Sequence, residues 1–223
     1  MLKPSTLKFL KDLKKNNNKP WFDKHRSGYD DAKRDFLEFI RQVIDLHGRN
    51  DPGIKNLSAK DCLFRINRDV RFAKEKSPYK TNMGASINQG GRKAVDSAGY
   101  YFHLEPGGSF TGGGLYVPIP EALRKVRQEI DYNLSAFNKI LQSKSFRSVY
   151  GDLDRSSEFL LSRVPKGYEP ENPAAGYLKF KSYIAMVPLS DSDLLSKTLV
   201  KKTVDAFRAL QPLVGFLNKA ITD

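Results

Sequence analysis

Apolar residues recur at helical spacing at both ends of the chain and alternate at strand spacing in its middle. Leu7, Leu10 and Leu13 predict a short helix that Ser5 can cap, broken by "KNNNKP". From Trp21 to about His47, Phe22, His25, Tyr29, Ala32, Phe36, Phe39, Val43 and Leu46 fall at three- and four-residue steps. That stripe predicts one long amphipathic helix, with Pro20 in its first turn and "GRNDPG" at its end. Phe22, Tyr29, Phe36, Phe39 and Val43 are its expected core face.

Between about 62 and 118 the segments "CLFRI", "GASIN", "GYYFHLE" and "SFTGGGLYVP" are short and rich in β-branched or aromatic residues, and they predict strands. "EPGGS" between the last two predicts a hairpin. Helical patterns return in "EALRKVRQEIDYN" and "LSAFNKILQS", and "KGYEPENPAAG" reads as a loop. "YLKFKSYIAMVPL" predicts a further strand. Ser190 or Asp191 then caps a helical C-terminus through Ile221, interrupted at Pro212. The expected class is α+β, with a long N-terminal helix and C-terminal helices packed on a mostly antiparallel central sheet. No repeat or linker divides the chain, so residues 1–223 are expected to form a single domain.

Composition sharpens this picture in three ways. Hydrophobic residues at 39% and aromatics at 11% are enough for a folded core. The net charge of +13 is uneven, since residues 60–93 carry nine Lys and Arg against three Asp and Glu. A basic surface attracts polyanions, nucleotides or acidic lipid. Cys62 is the only cysteine, so no intramolecular disulfide forms, and its apolar neighbours predict a buried, inert thiol. The N-terminus lacks the apolar core of a signal peptide and no apolar run spans a bilayer, which predicts a cytoplasmic protein without a membrane partner.

The candidate chemistry centres on "FRINRDVRFAKEKSPYKTN". In an extended strand Leu63, Arg65, Asn67, Asp69 and Arg71 share one face, and Cys62, Phe64, Ile66, Val70 and Phe72 the other. Asp69 then stands between arginines and can hold their forks for a phosphate or carboxylate, together with Arg68. The same arrangement serves equally as a structural ion-pair ladder. Pro78 favours a turn with Lys76, Tyr79 and Lys80 near its tip, either a phosphate-gripping loop or a solvated basic one. The glycines at 107–108 and 112–114, with Tyr116 alongside, permit close backbone approach to a ligand or simply a turn and a bulge. His103 and Glu105 lie two apart on a predicted strand and suit a base with its orienter. Two such ligands do not complete a metal site, and neither metal nor cofactor is expected. His25 lies on the apolar stripe and reads as a hydrogen-bonded core histidine.

Taken together, "WFDKHRSGY", "FRINRDVRFAKEKSPYKTN" and "GYYFHLEPGGSFTGGGLYVP" resemble an uncharacterised bacterial conserved-hypothetical family, a domain of unknown function. The most specific part is Arg68, Asp69, Arg71 and Phe72 followed by Lys76, Pro78, Tyr79 and Lys80. The resemblance implies one conserved unit of cytoplasmic bacterial origin and carries no activity across.

Three functions fit these residues. The first is a module binding a phosphorylated or other anionic ligand, either a small molecule or a polyanion such as nucleic acid, through Arg65, Arg68, Asp69, Arg71, Lys76, Tyr79, Lys80, His103 and Tyr116. The second is an enzyme on an anionic substrate, with Tyr79 or His103 carrying a proton. The third is a scaffold whose basic stretch holds no ligand. Oligomeric state is left open by the sequence.

Overall fold

The computed structural model describes residues 1–71, 74–94 and 96–223. Phe72, expected on a core face, lies outside the described residues. Along the chain run α1 (Pro4–Lys15), α2 (Lys19–Lys24), α3 (Arg26–His47), α4 (Ala59–Cys62), β1 (Met83–Ile87), β2 (Gly99–Leu104) and β3 (Ser109–Leu115). They are followed by α5 (Pro120–Tyr132), α6 (Leu134–Leu141), α7 (Lys144–Tyr150), α8 (Ala175–Leu178), β4 (Tyr183–Leu189), α9 (Asp191–Leu194) and α10 (Leu199–Thr222). The strands form an antiparallel sheet in the order β1-β2-β3-β4, and the class is α+β.

The chain divides into two compact units. The first comprises Met1–Arg92, Tyr101–Thr111 and Pro188–Val204. The second comprises Lys93–Tyr100, Gly112–Val187 and Asp205–Asp223.

In the first unit α1 begins with Pro4 in its first turn, so Lys3 rather than Ser5 occupies the cap. Leu7, Phe9, Leu10 and Leu13 are buried along it. The long predicted helix is two helices. Asn18 caps α2 by accepting from the Trp21 amide at 3.0 Å, and the chain leaves helical geometry at His25, where φ is −109° and ψ is 22°. The His25 ring stacks on Trp21 at 4.1 Å and its Nδ1 lies 2.8 Å from the Trp21 carbonyl, so it is hydrogen-bonded but only half-buried. On α3 the stripe Ala32, Phe36, Phe39, Ile40, Val43 and Ile44 is buried. Phe36 and Phe39 close on the Phe102 ring of β2, at 6.0 and 4.7 Å.

The predicted strand "CLFRI" is replaced by α4 and two isolated antiparallel bridges, Leu63 to Ala85 and Asn67 to Tyr79. The Phe64 amide donates to Gly84, whereas Lys80 donates to Ile66 and Arg68 to Pro78. The register therefore slips between the bridges, and Pro78 has no N–H to extend the ladder. Cys62 and Ile66 are buried as expected, but Phe64 is 41% exposed.

In the second unit Phe137 of α6 packs edge-on to Tyr177 and Tyr183. The Tyr150 hydroxyl donates to the Ala206 carbonyl at 2.8 Å. The predicted strand near 177 starts only at Tyr183. Asn172 turns the preceding chain helical, its Oδ1 accepting from the Ala174 amide at 2.6 Å. Pro212 lies inside α10 without ending it.

The three glycines of β3 form no turn. A Cβ on Gly112 would lie 2.1 Å from the Ala185 carbonyl oxygen, one on Gly113 2.1 Å from that of Gly99, and one on Gly114 2.0 Å from that of Tyr183. Neighbouring strands fill the space that any side chain would need.

Candidate functional site

The segment from Leu63 to Lys80 is held from beneath. Ile66 and Tyr79 are buried, and Tyr79 stacks on Phe22 with centroids 3.9 Å apart. Asn17 clamps the Tyr79 backbone from both sides, donating to its carbonyl at 2.9 Å and accepting from its amide at 3.1 Å. Tyr79 is thus an anchor of the segment and is not displayed at a turn tip.

Apart from the exposed Lys74, the cations of this segment fall into two groups. In the first, each cation has a local acceptor. Arg71 grips Asp69 with both arms of its fork, Nε to Oδ1 at 3.0 Å and NH2 to Oδ2 at 2.7 Å. That hydrogen bonding holds the Asp69 carboxyl below its ordinary range. Arg68 turns instead to Glu75 at 2.5 Å and Ser77 at 3.2 Å, and Lys76 donates to the Val70 carbonyl at 3.0 Å. Asp69 therefore does not order several arginines at once, because Glu75 takes Arg68. The Arg71 and Glu75 side chains are 75% and 68% exposed, so solvent screens both pairs.

The second group is Arg65 and Lys80. Among the described residues no carboxylate lies within ion-pairing distance of either. Lys80 Nζ sits 5.3 Å from the Phe64 ring centroid, a cation–π contact. Burial lowers the Lys80 pKa, and the like charge of Arg65 lowers it further.

Phe64 links this pair to β2, its ring edge-on to Tyr101 at 6.3 Å. Alternation along β2 buries Tyr100, Phe102 and Leu104 and leaves Tyr101 and His103, with Glu105 just beyond the strand, half-exposed on the opposite face. The Tyr101 hydroxyl is 3.3 Å from His103 Nδ1, and His103 Nε2 is 3.3 Å from Glu105 Oε2. The imidazole lies flat on Phe110, with centroids 4.7 Å apart and planes at 10°. Lys14 Nζ reaches Glu105 Oε1 at 3.4 Å. Gly84 makes room for the phenol, since a Cβ there would stand 2.5 Å from the Tyr101 oxygen.

The spacing of His103 and Glu105 marks them in the sequence, and Tyr101, absent from the sequence-based candidates, obeys the same two-residue step in "YFHLE". Tyr116 belongs to the second unit, where it is 65% exposed and meets Phe159 edge-on at 5.9 Å. A crevice beside Phe64, bounded also by Tyr29, Phe36, Leu63 and Ile66, holds about 20 Å³, too little for more than a water. A wide depression over α6, lined by Leu134, Ser135, Asn138 and Lys139, carries none of the candidate residues. Among the described residues no three His, Cys, Asp or Glu side chains gather as metal ligands, and no helix is long and apolar enough to cross a membrane.

The chain matches the conserved hypothetical protein family DUF2461 over residues 5–216 and belongs to that family. No curated protein and no solved structure matches it.

Proposed function

We propose that this member of the DUF2461 family is a cytoplasmic protein that binds an anionic ligand, phosphate-bearing in its simplest form. Lys80 and Arg65 supply the charge and Phe64 an apolar floor. One observation carries this reading. Two neighbouring cations, one pressed onto an aromatic ring and partly desolvated, have no carboxylate within ion-pairing distance among the described residues, and only the longer-range charge of Asp69 acts on Arg65. Like charges held together at reduced dielectric repel, and an anion between them relieves that cost. Arg68, Arg71 and Lys76 lie on the same segment but spend their hydrogen bonds locally, so they add field more than contact. The small crevice at Phe64 cannot enclose a ligand, so binding is on an open surface and falls as salt rises.

The test is calorimetric titration of the full chain with inorganic pyrophosphate at low ionic strength. Lys80→Gln and Arg65→Gln should each weaken binding about tenfold, the scale of one charge-assisted contact. Arg71→Gln should change it little. Absence of binding at low salt, or equal losses in all three variants, overturns the reading. If the natural ligand is a polyanion touching about four phosphates, the logarithm of its affinity should fall with that of salt with a slope of roughly 3 to 4.

A second reading, an enzyme acting on such an anion, is favoured by the hydrogen-bonded chain of Tyr101, His103 and Glu105.

A further inference from the structure

We propose that Tyr101, His103 and Glu105 form a proton relay that hydrolyses a phosphate monoester held by Lys80 and Arg65, with Tyr101 as the catalytic residue and His103 and Glu105 as positioning residues. This rests on the anionic-ligand reading above and goes beyond it in naming a reaction.

The geometry has the order a relay needs: a hydroxyl, a base within reach of it, and a third group that orients the base. Both imidazole nitrogens are engaged, Nδ1 with the Tyr101 hydroxyl and Nε2 with Glu105, each at 3.3 Å. With the imidazole proton on Nε2 donated to the carboxylate, Nδ1 faces the phenol as an acceptor. Distances of this length in an unliganded site shorten when substrate docks. Three further contacts fix the parts. Phe110 stacks on the imidazole, Lys14 pairs with the far oxygen of Glu105, and Gly84 lacks the carbon that would displace the phenol. The Phe64 ring connects the relay to the cations, meeting Tyr101 edge-on on one side and Lys80 on the other. A monoester held at Lys80 and Arg65 then takes its attacking water from the Tyr101 side.

The step balances without a further reactant. A water oxygen bonds to phosphorus while the bond from phosphorus to the ester oxygen breaks. The water proton passes to the Tyr101 oxygen as the phenol proton passes to His103 Nδ1, and Glu105 neutralises the imidazolium. The departing oxygen, in line with the water on the far side of phosphorus, takes its proton from solvent, and His103 returns its proton through Tyr101 to solvent, giving an alcohol and inorganic phosphate. Proton transfer of this kind is worth about 10²- to 10⁴-fold in rate.

The experiment is steady-state hydrolysis of p-nitrophenyl phosphate by the full chain, with pyrophosphate binding measured on the same samples. The wild type should turn over. Tyr101→Phe should lose about 10²-fold or more in kcat while keeping pyrophosphate affinity. Glu105→Gln should lower kcat with KM unchanged, the signature of a group acting only as the reaction proceeds. Lys80→Gln should raise KM. Gly84→Ala, whose Cβ would stand 2.5 Å from the phenol oxygen and 3.2 Å from the ring carbon that carries it, should copy the kcat loss of Tyr101→Phe. Pyrophosphate binding without turnover, or full activity in Tyr101→Phe, overturns the relay and leaves the binding site standing. Loss of both binding and turnover in the folded wild type overturns both readings.

Discussion

Gly113→Ala should cost a large share of the protein's stability. The added Cβ would lie 2.1 Å from the Gly99 carbonyl oxygen and 2.8 Å from the Tyr100 Cα. Both are backbone atoms, so no rotamer change relieves the overlap, and the strands must separate by about 1 Å to reach ordinary contact. Strands are spaced about 4.8 Å apart, and such a shift breaks the local ladder at about 1 kcal/mol per hydrogen bond. Overpacking adds about 1–3 kcal/mol. The φ of 152° at Gly113, open to glycine and strained for alanine, adds about 1 kcal/mol or more. The total is roughly 4 kcal/mol, against a whole-domain stability of about 5–15 kcal/mol. For a chain of this size the melting temperature should fall by about 10 °C or more. Gly107→Ala is the control. Its φ is 80° but nothing lies within 4 Å of the added carbon, so it should cost only about 1–2 kcal/mol. Urea and thermal unfolding followed by circular dichroism measure both. A Gly113→Ala variant that melts within about 2 °C of wild type, or a costlier Gly107→Ala, refutes the steric argument.

Cys62 is buried and its thiol is pushed up to about 12, chiefly by desolvation, so a bulky thiol reagent at mildly alkaline pH should label it only after denaturation. Asp193 completes the capping box that Ser190 opens on α9 and is held down to about 2, first by Lys202 and then by Ser190. A depressed carboxylate contributes stability above its ordinary pKa, near 3.8, and loses it as pH falls through about 2. Denaturant midpoints should therefore drop between about pH 4 and 2, and Asp193→Asn should flatten that slope. Neither compact unit is one continuous segment, and β2, β3 and β4 each contribute residues to both, so we expect residues 1–223 to behave as one domain. Limited proteolysis should give no separately folded half, and recovery of a stable fragment matching either unit would contradict this.

The class and most helices were legible because periodic burial governs them. The stripe on α3 and the alternation along β2 reach the core as the spacing predicts. Local chemistry decided what periodicity missed. Asn18 starts a separate helix, so the long helix breaks at His25. Pro78 and a register slip reduce a predicted strand to two bridges. At the candidate site the sequence located the cations but not their partners. Whether Asp69 serves Arg68 or Arg71 depends on where Glu75 falls, and spacing does not carry that. Tyr79 looked displayed because it follows a proline among lysines, yet Phe22 and Asn17 hold it in the core. Tyr101 was readable in principle, since it shares the face of His103 and Glu105. The closeness of Lys80 to Phe64 was not, because it depends on the bridge register.

The central claim is that Lys80 and Arg65, rather than the other cations of the segment, receive the anion. Backbone amide shifts of the isotopically labelled full chain, followed during titration with inorganic pyrophosphate, test it most directly. The account predicts saturable shifts centred on Phe64, Arg65 and Lys80, abolished by Lys80→Gln. Shifts confined to Arg68, Arg71, Lys74 and Lys76, or none at low salt, would contradict it.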